Sequence, residues 1–168
     1  DLDSMQLLEV IRGLQSGKDM AGKELKGSPK FCVGAVVNPG ADPIEPEIIK
    51  MEKKIEAGAQ FFQTQAIYEM YLFEKFLKAT SHLKTTIIAG IVLLKSASMA
   101  RFMNKNVAGV FVPEDLIQEM EQAKDKSAKS IEIAARLIRE LKPLCQGVHI
   151  MPIGWDKKVP LVLNAAGL

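Results

Sequence analysis

Short apolar segments alternate with amphipathic segments along most of this chain. Helical periodicity follows or precedes each apolar run, as at residues 46–57, 68–79, 114–124, 127–144 and 159–166. The apolar, strand-like runs are residues 30–37, 61–65, 86–93 and 147–151. This alternation favours parallel strands joined by right-handed crossovers, because each helix carries the chain back across the sheet. We therefore predict an α/β fold with one parallel sheet.

Four βα units amount to about half of an eight-stranded (β/α)8 barrel, which needs roughly 250 residues. We predict a partial TIM barrel, the carboxyl-terminal half, and a small open α/β sheet is the alternative. Ser4 is expected to cap the first helix. Residues 107–112 are expected to form an ordered loop rather than a strand, because Gly109 interrupts them and Pro113 follows at once.

Two of the strand-like runs end abruptly in polar or aromatic residues. Residues 61–65 end in Gln63, Thr64 and Gln65, and residues 147–151 are followed by a turn that leads to Trp155. Barrel enzymes hold their active sites at the carboxyl ends of the strands. By strand parity, Gln63 and Gln65 face the interior, whereas Phe62 and Thr64 face the helices. We expect the two runs to lie side by side.

Composition excludes several classes of protein. The 168 residues, 48% of them hydrophobic, are enough for one domain over residues 1–168. A net charge of +2 without a basic cluster argues against nucleic-acid binding. No apolar stretch approaches the roughly 18 residues that a membrane span needs, and no signal peptide is evident, so we expect a cytoplasmic protein. Neither a dinucleotide-binding nor a P-loop motif follows any strand.

Two cysteines lie far apart in the sequence. Cys32 falls in an apolar run and Cys145 follows a long helical segment, and neither has a second cysteine or a histidine at metal-binding spacing. We expect two buried thiols and no metal site.

Five segments resemble the methylenetetrahydrofolate reductase family, most closely its branch in anaerobic one-carbon pathways. The most specific is Ala57-Gly-Ala-Gln-Phe-Phe-Gln-Thr-Gln65. The others are Gly34-Ala-Val-Val-Asn-Pro39, Ile88-Ala-Gly-Ile91, Phe102-Met-Asn104 and Gly147-Val-His-Ile-Met-Pro-Ile-Gly-Trp155. The resemblance implies a flavin-dependent barrel that reduces 5,10-methylenetetrahydrofolate. It also implies four further strands ahead of this region, which carry an acidic residue for protonation and an aspartate near the flavin.

The resemblance assigns roles to several residues of the central segments. Gln65 aligns with a glutamine that hydrogen-bonds the pterin, and an amide suits a heterocycle because it both donates and accepts. Gln63 is expected to support it. Lys54 aligns with a lysine that contacts the flavin nucleotide, and Lys53 lies where family members often place a basic residue. The alternative for both lysines is a solvated helix face. Asn38 lies where other branches place an aromatic ring against the flavin.

The last strand carries two further candidates. His149 is either a cofactor-facing group that shuttles protons or a buried, hydrogen-bonded barrel histidine. Trp155 lies where other branches place an arginine that reaches the folate tail, so that ionic contact does not carry over. Its indole is expected to stack on the pterin or on a nicotinamide.

The resemblance implies FAD, or alternatively FMN, with electrons from NAD(P)H or from an iron–sulfur partner subunit. The implied partners are a folate and either the other half of the barrel or a second copy of the chain. Two alternatives come from other classes of protein. One is a half-barrel without catalytic function that binds a partner or itself. The other is a pterin-binding barrel of the methyltransferase type, without a flavin.

Overall fold

A computed structural model describes all residues, Asp1–Leu168. Its four strands form one parallel sheet in the order β1-β2-β3-β4. They are β1 (Gly34–Val37), β2 (Phe61–Ala66), β3 (Thr86–Val92) and β4 (Gly147–Met151). The predicted parallel α/β sheet is confirmed. Strand β1 is shorter than predicted, because the backbone N–H of Val33 donates to the side-chain Oε1 of Gln60 and not to a strand carbonyl.

Seven α-helices surround the sheet. They are α1 (Ser4–Gln15), α2 (Glu45–Glu56), α3 (Met70–Ala79), α4 (Ala97–Asn106), α5 (Glu114–Gln122), α6 (Lys126–Leu141) and α7 (Val159–Ala166), with one 3-10 turn at Asp156–Lys158. Helix α4 was not predicted, because its buried positions are mainly the small residues Ala97 and Ala100, which give a weak apolar periodicity. As predicted, residues 107–112 form no strand.

The cap of helix α1 differs from the prediction. Asp3, not Ser4, is the N-cap, and its carboxylate accepts the backbone N–H groups of Met5 and Gln6 at 2.8 Å. The side chain of Gln6 accepts the backbone N–H of Asp3 in return. This reciprocal pair is a capping box, which satisfies N–H groups that the first turn leaves without partners.

Packing covers one face of the sheet and leaves the other partly open. Along β2, Phe62 and Thr64 are buried against the core, while Phe61, Gln63 and Gln65 are half-exposed. The core on the covered side includes Phe73 and Phe76, whose rings stack with centroids 6.3 Å apart. The alternation agrees with the parity predicted for β2. We call the half-exposed side the open face.

Two predictions from the sequence, one on strand order and one on cysteine burial, are wrong. Strands β2 and β4 do not lie side by side, because β3 pairs with both and separates them. Cys32 is exposed, not buried, because the sheet begins only at Gly34 and of the residues just before it Val33, not Cys32, packs into the core. Cys145 is half-buried, and its Sγ lies 3.3 Å from the carbonyl oxygen of Leu141.

No helix is both long enough and apolar enough to span a bilayer.

Candidate active site

Strand β2 ends in an irregularity that fixes Thr64 and Gln65. Gln63 pairs with Ile88 but Ala66 pairs with Gly90, so β2 holds one residue more than β3 over this stretch. The hydroxyl of Thr64 accepts the Gly90 N–H at 2.8 Å and donates to the Gln65 carbonyl at 2.7 Å. Such bulges bend a strand locally and often lie next to active sites, where they redirect a side chain. The backbone of Gln65 is therefore held by a buried side chain.

The amides of Gln63 and Gln65 form no hydrogen bond within the chain, and both side chains are half-exposed. Gln63 borders a shallow depression of about 180 Å³ on the open face, which Gly34, Val36 and Phe61 also line. A free carboxamide offers two donors and one acceptor oxygen. Two such groups near the carboxyl end of one strand can bind the edge of a polar heterocycle.

Between β2 and β4 the sheet carries a buried glycine, Gly90. Gly90, which pairs with both Ala66 and His149, contributes no side chain there. A Cβ at Gly90 would meet the backbone carbonyl oxygens of Thr64 and Gln65 as well as Cε of Met151, so the backbone of β2 and this methionine already fill the space beside it. Methionine side chains are flexible and adapt to a ligand surface. Met151 can therefore adjust at this point of the open face, whereas the backbone carbonyls of β2 stay in place.

His149 lies on β4 and is half-exposed, with no side-chain hydrogen bond within the chain. Its ring is therefore neither deeply buried nor fixed by a partner, so the structure does not bear out a buried, hydrogen-bonded barrel histidine. A cofactor-facing role for His149 stays a prediction.

A tight turn joins the end of β4 to Trp155. The N–H of Trp155 donates to the carbonyl of Pro152 at 3.1 Å, and the two central residues have positive φ angles, 50° at Ile153 and 81° at Gly154. Two positive φ angles define a type I′ turn. Gly154 adopts this conformation freely, but a β-branched residue does so at a cost of about 1–2 kcal/mol. Strained residues of this kind concentrate at functional sites.

Lys95 lies beside Trp155 and was not among the predicted site residues. Its Nζ is 5.6 Å from the centroid of the indole ring. Lys95 is half-exposed, two residues past the buried Leu93, and pairs with no carboxylate. The sequence signal was weak: a single lysine after the apolar run of residues 86–94. A cation at the carboxyl end of a buried strand is, like a polar amide there, a candidate site residue.

The two lysines predicted to contact a flavin differ sharply in environment. Lys54 is 9% exposed, and its Nζ donates to the carbonyl of Val36 at 2.7 Å. Strand β1 pairs only with β2, so this bond satisfies a carbonyl on an edge strand. Lys53 is exposed. Lys54 therefore has a partner within the chain, although its ammonium keeps two further donors.

Asn38 joins two loops. Its Nδ2 donates to the carbonyl of Ala108 at 3.0 Å, and its Oδ1 accepts the N–H of Gly40 at 3.2 Å. Its own N–H donates to Glu47 at 3.1 Å. The amide thus fastens the loop after β1 to the segment after α4. A cofactor contact of Asn38 stays a prediction, but the structure already gives this side chain two partners.

Tyr68 is a buried titratable group two residues after β2. Its hydroxyl donates to the carbonyl of Val92 at 2.9 Å, and burial raises the pKa of the phenol far above its usual value. The phenol therefore stays neutral and does not serve as an acid near neutral pH. No group of three or more His, Cys, Asp or Glu residues could hold a metal ion. The free side chains of this site are suited to binding and orientation.

Comparison with known proteins gives three findings. A family model described as methylenetetrahydrofolate reductase matches residues 3–167. Methylenetetrahydrofolate reductase 2 of Schizosaccharomyces pombe is 26% identical over an alignment of 162 residues. The match covers 82% of this chain and 25% of the relative. An uncharacterized protein from Clostridium thermocellum, which binds two copies of 5-methyl-5,6,7,8-tetrahydrofolic acid, is 19% identical with a TM-score of 0.62. That match covers 98% of this chain and 58% of the other. This chain thus spans a quarter of the curated relative and less than two thirds of the solved structure.

Proposed function

The chain belongs to the methylenetetrahydrofolate reductase family, and from that premise we propose that it forms part of the folate site of a reductase. The reaction is the conversion of 5,10-methylenetetrahydrofolate to 5-methyltetrahydrofolate. The observation that carries the proposal is the pair of unpartnered amides, Gln63 and Gln65, at the carboxyl end of β2. The folate bound by the solved neighbour supports the same class of ligand.

Gln65 is proposed to bind the pterin ring. The edge of a pterin alternates hydrogen-bond donors and acceptors, and one carboxamide can match an adjacent pair of them. The bond from Thr64 to the Gln65 carbonyl fixes the backbone of this residue, so that only its side chain has to be ordered on binding. Gln63, nearer the amino end of the same strand, supports Gln65 in binding the ring.

A flavin, FAD in preference to FMN, is the cofactor that the family implies. The residues fit such a group in two respects. The open face at Val36 and Phe61 is not filled by side chains. The exposed ammonium of Lys53 and, separately, the two remaining donors of Lys54 can each bind a phosphate, since consecutive helix residues point in different directions. When bound, the flavin supplies a hydride to the folate. The part of this chain is to orient the pterin and to exclude water from one side of it.

The source of electrons is proposed as NAD(P)H or an iron–sulfur partner. A partner for the sheet itself is also needed, because β1 and β4 each pair on one side only. Exposed edge strands invite pairing with another chain. The remaining strands of a barrel, or a second copy of this chain, would cover them.

The test replaces Gln65 by Ala and by Glu, with Gln118→Ala as the control, because Gln118 is an exposed glutamine of helix α5 that makes no side-chain hydrogen bond. Loss of one hydrogen bond to a bound ligand is expected to lower folate turnover about tenfold. Flavin content, read from visible absorbance, should stay at the wild-type value. Equal loss of turnover and flavin in the Gln65 variants would reject the assignment of this residue to the folate.

A second candidate is a folate-binding barrel without a flavin. The partners that Asn38 and Lys54 already have within the chain favour it, since both are proposed cofactor contacts. A colourless protein that binds 5-methyltetrahydrofolate and transfers its methyl group without a reductant would support this candidate over the reductase.

A further inference from the structure

Thr64 is a buried polar side chain that lies next to the proposed ligand contacts but on the other side of the sheet. It is 3% exposed and faces the core, opposite to Gln63 and Gln65. Its hydroxyl accepts the N–H of Gly90 at 2.8 Å and donates to the carbonyl of Gln65 at 2.7 Å. The hydroxyl therefore lies between an N–H of β3 and a carbonyl of β2, two kinds of group that a regular parallel ladder joins directly.

Gly90 holds the same irregularity from the neighbouring strand. A Cβ there would clash with the carbonyl oxygen of Thr64 and would lie 3.0 Å from that of Gln65, so this close approach of the two backbones requires a glycine. The carbonyl of Gly90 accepts the N–H of Ile67 at 2.9 Å. Both backbone polar groups of Gly90 thus bind across the stretch in which β2 holds its extra residue.

The position of Thr64 requires a group that accepts and donates at the same time. A hydroxyl does both, whereas the corresponding methyl of valine does neither. Without the hydroxyl, the buried N–H of Gly90 would lose its partner, which is destabilising. The backbone at Gln65 would then be free to relax, and a shift of one residue turns a side chain to the other face of a strand. The direction of the Gln65 amide therefore depends on a hydroxyl that no ligand on the open face can reach.

We propose that Thr64 is a positioning residue of the folate site, which acts on the ligand only through Gln65. This inference rests on the proposed folate function. Because Gln65 makes the contact, the contribution of Thr64 to affinity cannot exceed the loss caused by Gln65→Ala. In that variant no amide is left to position, so the hydroxyl should no longer matter for the ligand, although it still stabilises the sheet.

The test is a double-mutant cycle of Thr64→Val and Gln65→Ala in the intact protein, titrated with 5-methyltetrahydrofolate. In the wild-type background, Thr64→Val should weaken binding about three- to tenfold. In the Gln65→Ala background it should change the affinity by less than about twofold. The melting temperature should fall by the same amount, about 2–6 °C, in both backgrounds. Thr64→Ser keeps the hydroxyl and should bind within about twofold of wild type.

Thr80→Val is the matched control for loss of a buried hydroxyl. Thr80 is 5% exposed, and its hydroxyl donates to the carbonyl of Phe76 at 2.9 Å. It lies at the carboxyl end of α3, next to Thr85 and Gln146 at the amino ends of β3 and β4. This variant should also lower the melting temperature but should leave the affinity for the folate unchanged.

Three results would overturn the inference. The first is an unchanged affinity of Thr64→Val despite a lower melting temperature, because the hydroxyl would then serve the fold alone. The second is an equal loss of affinity in both backgrounds, because Thr64 would then act independently of Gln65. The third is weak binding by Thr64→Ser, which would assign the effect to the methyl group.

Thr64→Ala repeats the cycle should the valine form fail to fold. If the alanine form fails as well while Thr64→Ser folds, the hydroxyl is structural and the inference is wrong. If wild type does not bind 5-methyltetrahydrofolate, or if Gln65→Ala binds it as tightly as wild type, the proposed function fails instead.

Discussion

Replacing Lys54 by methionine separates a structural role of this lysine from a role in binding a cofactor. The side chain is 9% exposed, and its ammonium donates to the carbonyl of Val36 at 2.7 Å. Methionine preserves most of the buried stem but removes the donor. The carbonyl of an edge strand then loses its one side-chain partner.

The magnitude follows from two opposing effects. A hydrogen bond to a charged group contributes about 1.5–3 kcal/mol. Part of this free energy is recovered in the methionine variant, because a nearly buried ammonium is costly to desolvate and the variant has none. We expect a net loss of about 1–2 kcal/mol in the free energy of unfolding. For a chain of this size, each kcal/mol lowers the melting temperature by about 2–4 °C, which gives a fall of about 2–8 °C.

The assay is thermal and urea unfolding of the protein without added flavin, followed by circular dichroism. Lys53→Met is the matched control, because Lys53 is the exposed neighbour on the same helix. Its effect should stay within about 0.5 kcal/mol. An unchanged stability of Lys54→Met, together with loss of flavin, would refute the structural account and assign the ammonium to the cofactor alone.

Three further variants test other features of the structure. Ile153→Asn should stabilise the protein by about 1 kcal/mol in urea unfolding, because asparagine tolerates a positive φ angle better than a β-branched residue; a loss of stability would show that the turn is not strained. Gly109→Ala should destabilise by about 1–3 kcal/mol, because φ is 72° there and the new Cβ would clash with the side-chain amide of Asn38. A wild-type melting temperature would contradict this contact. Tyr68→Phe removes the bond to the Val92 carbonyl and should cost about 1 kcal/mol near neutral pH. Because burial raises the pKa of the Tyr68 phenol above its ordinary 10.0, wild-type stability is full below that pH and falls as the pH rises above it. The phenylalanine variant should lose less over the same alkaline range, and identical alkaline profiles would speak against burial of the phenol.

Local patterns in the sequence were sufficient to predict the sheet. The apolar runs and their helical connections gave four strands in the right places, and strand parity separated Phe62 and Thr64 from Gln63 and Gln65. Each of these features depends on neighbours within a few positions. The prediction that β2 and β4 lie side by side was wrong, because no local pattern shows that β3 lies between them.

Features that depend on distant partners were missed. Asn38 binds the carbonyl of Ala108, which is 70 positions away in the sequence. The extra residue of β2 becomes visible only through its pairing with β3. Exposure of Cys32 follows from where the sheet begins, which hydrophobicity alone does not show. Lys95 lies beside the indole of Trp155 only because of the turn after β4, which no pattern near Lys95 shows.

The most direct test of the account uses the intrinsic fluorescence of Trp155, the one tryptophan of this chain. The protein is titrated with 5-methyltetrahydrofolate, and free tryptophan in a parallel titration corrects for absorption by the ligand. The account predicts a saturable change in wild type, and a weaker affinity by about tenfold in Gln65→Ala with an unchanged free energy of unfolding. No saturable change in wild type, or equal affinity in both proteins, would contradict the claim that the ends of β2 and β4 bind one folate.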